Sequence, residues 1–340
     1  MSLLTVTSPH ATQSAQGTGA FMRRVIYACV PGIAVMSWLF GIGTLLNLLI
    51  AIPAALLAEA LVLQARGYNV RFALSDWSAV VSAVLLAIAI PPTAPWWLIV
   101  IGIIAAIVIA KQLYGGLGMN PFNPAMVGYV VLLISFPLEM TRWIAPGETP
   151  ALTDSLAMLL SSSQADAFTG ATPLDTFRTW AGDGKQLAGQ TILHGAVAGR
   201  GWEWVNLAFL VGGLYLLLRR VISWHIPLSL LAAMALIATP FWWFDSARFA
   251  SPLFHLLSGG TMLGAFFIAT DPVSAASSRY GRLIYGALIG ITVWLIRSFG
   301  GYPDAIAFAV LLLNLAAPTI DYYTRPRTYG HRHAKRGANP

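Results

Sequence analysis

The sequence predicts an all-α membrane protein of about ten transmembrane helices with one sizeable loop on a single side. Three observations carry this. Apolar residues make up 57% of the 340 and charged residues only 10%, whereas soluble domains are about a quarter charged. The mean hydropathy is +0.70, so the chain lacks the polar surface to face water all round. The apolar residues also gather into runs near the roughly 20 residues that a bilayer span requires. We place these runs at 24–41, 43–64, 77–93, 95–111, 122–138, 203–219, 226–244, 252–270, 282–297 and 303–319.

Along the chain, residues 1–22 are polar, rich in Ser, Thr and Gln, with no apolar core of their own. This is not the pattern of a cleavable signal peptide, so the run after Arg23-Arg24 is expected to remain as the first span. Residues 23–138 form a first membrane half of five spans, several separated only by turns such as Pro91-Pro92-Thr93-Ala94-Pro95. Residues 139–202 are the one sizeable hydrophilic segment. Residues 203–320 hold five more spans, and 321–340 form a basic tail that includes His331-Arg332-His333.

The net charge of +7 is better read as membrane topology than as affinity for nucleic acid, and no nucleic-acid partner is expected. With the N-terminus inside, fourteen of the 20 Lys and Arg fall on the cytoplasmic side. The remaining six are Arg142, Arg178, Lys185, Arg200, Arg248 and Arg297, mostly in the long loop, where the positive-inside bias is weak. Both termini are thus expected in the cytoplasm of a bacterial cell, the protein multi-pass in the inner-membrane bilayer, and residues 139–202 in the periplasm. A loop of this length without helical repeat usually has a function. The single cysteine, Cys29, lies in an apolar run and supports neither a disulfide nor a cysteine-ligated cluster.

A weak internal repeat is visible. The fourth span ends Lys111-Gln112-Leu113-Tyr114-Gly115-Gly116, with Asn120 ahead of the next run. The ninth ends Arg297-Ser298-Phe299-Gly300-Gly301, with Asp304 ahead of the next run. Five spans per half would give two inverted repeats, a plan common in transporters. Chance likeness of two Gly-rich turns is the alternative.

The loop contains Asp166-Ala167-Phe168-Thr169-Gly170-Ala171-Thr172-Pro173-Leu174. Pro173 keeps Thr172 extended, and small neighbours leave its hydroxyl open to a large partner. Asp166 can orient a hydrogen bond or help bind a metal, although no resident metal is expected. The run Asp166-x-x-Thr169-Gly170-Ala171-Thr172 resembles the acceptor motif of bacterial flavin transferases, which move FMN from FAD onto the final hydroxyl as a phosphoester. Two further stretches, Gly115-Gly116-Leu117-Gly118-Met119-Asn120-Pro121-Phe122-Asn123-Pro124-Ala125-Met126 and Asp271-Pro272-Val273-Ser274-Ala275, are similar to signatures of the RnfD family, membrane components of the Rnf ion-translocating oxidoreductases. They also resemble the homologous NqrB component of the sodium-translocating NADH:quinone oxidoreductase. Gly300-Gly301-Tyr302-Pro303-Asp304 and Asn314 fit the same family, with Ala305 where Gly is common.

The resemblance implies a membrane redox subunit without independent turnover and without a catalytic residue of its own. It implies FMN held covalently on Thr172, with Asp166, Thr169, Gly170 and Ala171 completing the motif. It implies a complex that couples ferredoxin/NAD electron transfer to ion movement, built with other membrane and peripheral subunits. One of these carries a second covalent FMN, and a flavin transferase acts during maturation. A non-covalent riboflavin is also implied, with Asn120, Asn123 and Asp271 as candidate residues for this second flavin or for an ion. Turns packed on a neighbour would read the same way. No GxGxxG unit or cysteine cluster marks a nucleotide or iron–sulfur site here.

The remaining polar residues have plainer readings. Glu59 is expected to reach the interface from the inner end of the second span, and His255, beside Ser258-Gly259-Gly260, to be a hydrogen-bonded core histidine at a close helix contact. Trp96-Trp97, Trp202 and Trp204, and Trp242-Trp243 are expected in an aromatic belt. The rival function is an inverted-repeat transporter or channel without flavin, with the loop as its lid. It would leave Asp166 to Thr172 unexplained.

Overall fold

Each of the ten apolar runs is helical in the computed structural model, which describes residues 17–161, 168–182, 195, 198–302 and 304–324. A backbone in lipid must satisfy its own N–H and C=O groups, and a helix does so within one segment. The first half contains α1 (Thr18–Phe40), α2 (Gly43–Ala65), the short α3 (Val70–Leu74), α4 (Ser78–Ala89), α5 (Trp96–Ile104, continuing as π-helix over Ala105–Gln112) and α6 (Pro124–Ser135). The long loop contributes α7 (Pro137–Thr141), α8 (Leu152–Leu160) and α9 (Pro173–Gly182), with β1 (Trp143–Ile144) paired antiparallel to β2 (Thr169–Gly170). The second half contains α10 (Trp202–Leu218), α11 (His225–Phe244), α12 (Pro252–Leu257), α13 (Thr261–Leu263, continuing as π-helix over Gly264–Ile268), α14 (Arg279–Phe299) and α15 (Ile306–Thr324).

The chain is therefore a multi-pass, all-α membrane protein. Five of its helices (α1, α2, α11, α14 and α15) are long and apolar enough to cross a membrane by length and composition. The others are shorter. The polar N-terminal stretch up to residue 16, Asp166, Pro303 and the basic tail from residue 325 lie outside the described residues.

The two halves repeat one scheme of packing. In each, the second segment packs on the third and the fourth, and the fourth on the fifth: α2 on α4 and α5, then α5 on α6; α11 on α12 and α14, then α14 on α15. The first segments, α1 and α10, pack together across the halves, as do the fifth segments, α6 and α15. These shared pairings are compatible with the expected five-segment repeat, although the first segment packs on the second only in the first half. The third segments differ in build. The third segment of the first half is the short α4, which stops before Pro91-Pro92. The third of the second half is broken between α12 and α13. Interrupted segments mark binding regions in many membrane folds.

The core is apolar, yet many large apolar side chains also lie exposed, as lipid allows and water would not. On α2, Asn47 is fully buried and Glu59 2% exposed, whereas Leu49 is 69% exposed. Polar groups inside lipid are costly and turn toward the protein interior.

Where helices meet closely, small residues permit it. Gly286 and Gly290 of α14 sit one turn apart against α11, and a Cβ on Gly290 would lie 2.2 Å from the Leu230 carbonyl oxygen. This is the small-xxx-small contact of membrane helices. Gly290→Leu is expected to force α11 and α14 apart and to destabilise by about 1–3 kcal/mol or more. A melting midpoint in detergent equal to that of the parent would contradict this packing.

Candidate functional site

Two cavities lie at opposite ends of the bundle. One is at the end carrying residues 139–202, here the loop end. The other is at the end carrying Arg66, Arg71, Arg219, Arg220, Arg279 and Arg282, here the basic end.

Thr172 borders the loop-end cavity, whose volume is about 80 Å³. Its position follows from local rules. Pro173 stands at the first turn of α9, where its missing N–H is no loss. Thr172 precedes it as the cap. Its Oγ1 accepts from the Asp175 N–H at 3.2 Å, and its carbonyl accepts from the Thr176 N–H at 2.9 Å. The side chain is half-exposed, so the hydroxyl stays reachable. The motif residues around it are anchored. Thr169 and Gly170 pair with Ile144 and Trp143 in the two-stranded ribbon. Leu174 and Phe177 are buried, with the Phe177 ring 5.7 Å from that of His255 in an edge contact. Ala171 is exposed between these two anchors.

Trp143 and Trp202 line the same cavity, their rings 4.9 Å apart, with Phe40 packed behind both. Trp202 is only 7% exposed. This corrects its placement in an aromatic belt: it is a cavity wall, whereas Trp204 and Trp243 remain exposed.

The floor of the cavity is the break in the eighth segment. Ser258, Gly259 and Gly260 interrupt the helix, and Gly259 has a φ of +59° that glycine adopts without steric cost. The close contact expected at these residues is present, since a Cβ on Gly259 would lie 2.4 Å from Leu174, and it accompanies a discontinuity that was not expected. Thr261 bridges the break, its hydroxyl donating to the His255 and Ser258 carbonyls at 2.9 Å, and two further buried side chains hold it. Asn206 of α10 donates to the Gly259 carbonyl at 2.8 Å and accepts from the Met262 N–H at 3.0 Å. Arg297 of α14 donates to the His255 carbonyl at 2.8 Å and the Thr261 hydroxyl at 3.0 Å. It reaches the Ser258 carbonyl and Asp304 Oδ1 at 3.4 Å. Asp304 in turn accepts from the Gly260 N–H at 3.3 Å and lines the cavity with Thr172. His255 is fully buried, but neither ring nitrogen has a partner among the described residues, which corrects the expectation of a hydrogen-bonded ring.

Asn206→Leu removes the clamp at similar volume. It leaves the Gly259 carbonyl and Met262 N–H unpaired, at about 1–3 kcal/mol for each buried group. The expected result is a lower melting midpoint in detergent. An unchanged midpoint would show that the break holds itself.

The basic-end cavity is larger, about 550 Å³, within the roughly 300–1,000 Å³ of small-molecule sites. Asn120, Asn123 and Asp271 all border it, so the fold brings together residues from distant parts of the chain. Gly115, Gly116 and Gly118 have φ of +121°, +101° and +92°, and this turn delivers Asn120. Asn123 caps α6, accepting from the Met126 N–H and donating to the Ile268 carbonyl, both at 3.3 Å. Asn120 donates to the Phe122 carbonyl at 2.9 Å, while its buried Oδ1 has no partner among the described residues. Asp271 accepts from the Ser274 hydroxyl at 2.7 Å. Burial outweighs that bond and raises the Asp271 carboxyl above the ordinary carboxylate range.

A buried ion pair that the sequence did not disclose stands at this wall. Lys111 and Glu59, 2.5 Å apart, are each 2% exposed. Glu59 therefore does not reach the interface, and Lys111 is not a loop cation. Arg297, expected outside, is likewise buried.

The two cavities approach within one turn of α6. Asn123 and Pro124 border the basic-end cavity and Met126 the loop-end one. Phe267 and Ile268 divide in the same way.

Comparison with known proteins adds an independent finding. The family described as NQR2, RnfD, RnfE matches residues 4–330. A protein of Alcanivorax borkumensis named as the D subunit of an ion-translocating oxidoreductase complex is 63% identical, covering 100% of both chains. One of the same name from Salmonella enteritidis is 54% identical over 96% of this chain and 97% of its own.

Proposed function

The chain belongs to the NQR2, RnfD, RnfE family, and on that premise we propose that it is the flavin-bearing membrane subunit of a redox-driven, ion-translocating complex. FMN is joined to Thr172 through a phosphoester at the loop-end cavity, and a riboflavin is held without a covalent bond in the basic-end cavity. The observation that carries this reading is Thr172, half-exposed at the border of a cavity walled by Trp143 and Trp202.

The residues suit the group. As first-turn cap of α9, Thr172 would hold a phosphate at a helix N-terminus, where free N–H groups and the helix dipole favour an anion. Its Oγ1 can go on accepting from the Asp175 N–H as an ester oxygen. Trp143 and Trp202 give the cavity an apolar wall and Asp304 a polar edge; at about 80 Å³ it would take only part of the group, so the flavin ring would lie largely outside it. At the other end, Asn120 Oδ1 and Asn123 lie in a cavity of sufficient volume. When bound, the flavins supply electron-transfer chemistry that no side chain offers, while the protein binds and orients them. The near meeting of the cavities at Asn123 and Ile268 supports passage of electrons between the two ends.

In this reading the loop end faces the periplasm of a bacterial inner membrane and both termini the cytoplasm, in accord with the distribution of Lys and Arg. The partners are the other membrane and peripheral subunits, including a second covalent-FMN subunit, and a flavin transferase during maturation. The test is intact mass of the full chain co-expressed with an active flavin transferase. A gain equal to FMN less water is expected. Absence of that gain, with the transferase modifying a control substrate, would refute the covalent site.

A further inference from the structure

We propose that Lys111 sets the reduction potential of the flavin in the basic-end cavity, its ammonium stabilising the negative charge that the ring acquires on reduction. The inference rests on the reading of that cavity as a flavin site.

Three observations carry it. Lys111 and Asp271 are the charged side chains bordering the cavity among the described residues, and Asp271 is engaged by Ser274. Lys111 Nζ donates to Glu59 Oε1 at 2.5 Å and to Ser78 Oγ at 2.6 Å. An ammonium has three N–H donors, so one remains for an occupant. Glu59 is not a lining residue. It stands behind Lys111, where Gln112 Nε2 also donates to it at 2.6 Å, and Arg66 in turn holds the Gln112 carbonyl at 3.0 Å. Lys111 is thus the member of the pair that borders the cavity, and Glu59 the one set back.

The backbone is arranged for this. The chain over Ala105–Gln112 is π-helical, a distortion that recurs at functional sites, and here Lys111 and Gln112 are both buried although they end an apolar helix. A buried ion pair is seldom retained for stability, since apolar replacements often serve as well. A role toward an occupant accounts for it.

The chemistry follows from charge. Reduction of a flavin by two electrons with uptake of a single proton leaves a negative charge over N1 and the C2 carbonyl, and nearby protein charge tunes that couple. A cation at the wall favours the reduced ring. The orphaned Asn120 Oδ1, of a residue that borders the same cavity, is suited to accept from the ring N3–H.

The experiment uses the full chain in detergent with Thr172→Ala as background, so that only non-covalent flavin titrates. Riboflavin binding is read by quenching of its fluorescence, and the midpoint potential by a dithionite-driven optical titration with mediators. Glu59→Gln leaves the lysine charge uncompensated and is expected to raise the potential. Lys111→Met combined with Glu59→Gln removes both charges without stranding a carboxylate. Relative to Glu59→Gln it is expected to lower the potential, with a fall of roughly tenfold or more in preference for reduced over oxidised riboflavin. Lys111→Arg is expected to stay near the background value. Equal potentials in Glu59→Gln and the double variant, with riboflavin still bound, would overturn the role of Lys111 and leave the flavin site standing. No riboflavin binding to the background protein itself would overturn the site, and the inference with it.

Discussion

Replacing Arg297 by Met is expected to destabilise the chain by about 3–5 kcal/mol, the scale of removing one partner from a buried charged network. The side chain of Arg297 is fully buried, and its guanidinium spans the broken eighth segment. Helix α12 ends at Leu257, and its last carbonyls have no partners within the helix. Arg297 supplies donors to two carbonyls here, those of His255 and Ser258, and places positive charge at the negative end of the helix. Met matches much of the volume but supplies no donor, and it leaves Asp304 without its guanidinium. Arg297→Lys should recover little, since one ammonium cannot reproduce a planar fork serving several acceptors. Thermal aggregation followed by size-exclusion chromatography in detergent reads the effect. A parent-like profile for Arg297→Met would mean that the break is held by Asn206 and Thr261 alone.

Thr172→Ala is expected to abolish covalent flavin completely, and Thr172→Ser to preserve it. The contrast is chemical. The phosphoester needs an oxygen at this atom, and both Ser and Thr provide one. Both also cap a helix, whereas Ala loses the bond to the Asp175 N–H at a cost of about 1 kcal/mol. That cost is small beside the burial of Leu174 and Phe177, so the Ala protein should fold. In-gel ultraviolet fluorescence separates the cases. Retained fluorescence in Thr172→Ala would place the flavin on another residue.

Much of the fold was legible because lipid imposes a simple rule. Ten apolar runs became ten helical segments, and the short turns at Pro91-Pro92 and Gly115-Gly116 fell between them. The repeat was faint in sequence, and in the structure several but not all helix pairings recur between the halves. The discontinuity at Ser258-Gly259-Gly260 read as a close contact because small residues serve both purposes. The break itself depends on Asn206 and Arg297, which are remote in sequence, together with Thr261. Thr172 stood out through its local motif. Asn120, Asn123 and Asp271 could be named singly, but their meeting in one cavity is a tertiary fact. Lys111 and Glu59 were misread because each lies near the end of an apolar run, where a charge normally reaches water. The π-helix over Ala105–Gln112 that turns Lys111 inward has no sequence signature.

The most direct test of the account is the partition of flavin after acid precipitation of the purified, transferase-matured protein. Flavin remaining with the precipitate is covalent, and flavin in the supernatant was held without a bond. The account predicts equimolar amounts in the two fractions, with the precipitate fraction vanishing in Thr172→Ala while the supernatant fraction persists. Flavin found wholly in the supernatant, or unchanged in the precipitate of Thr172→Ala, would contradict it.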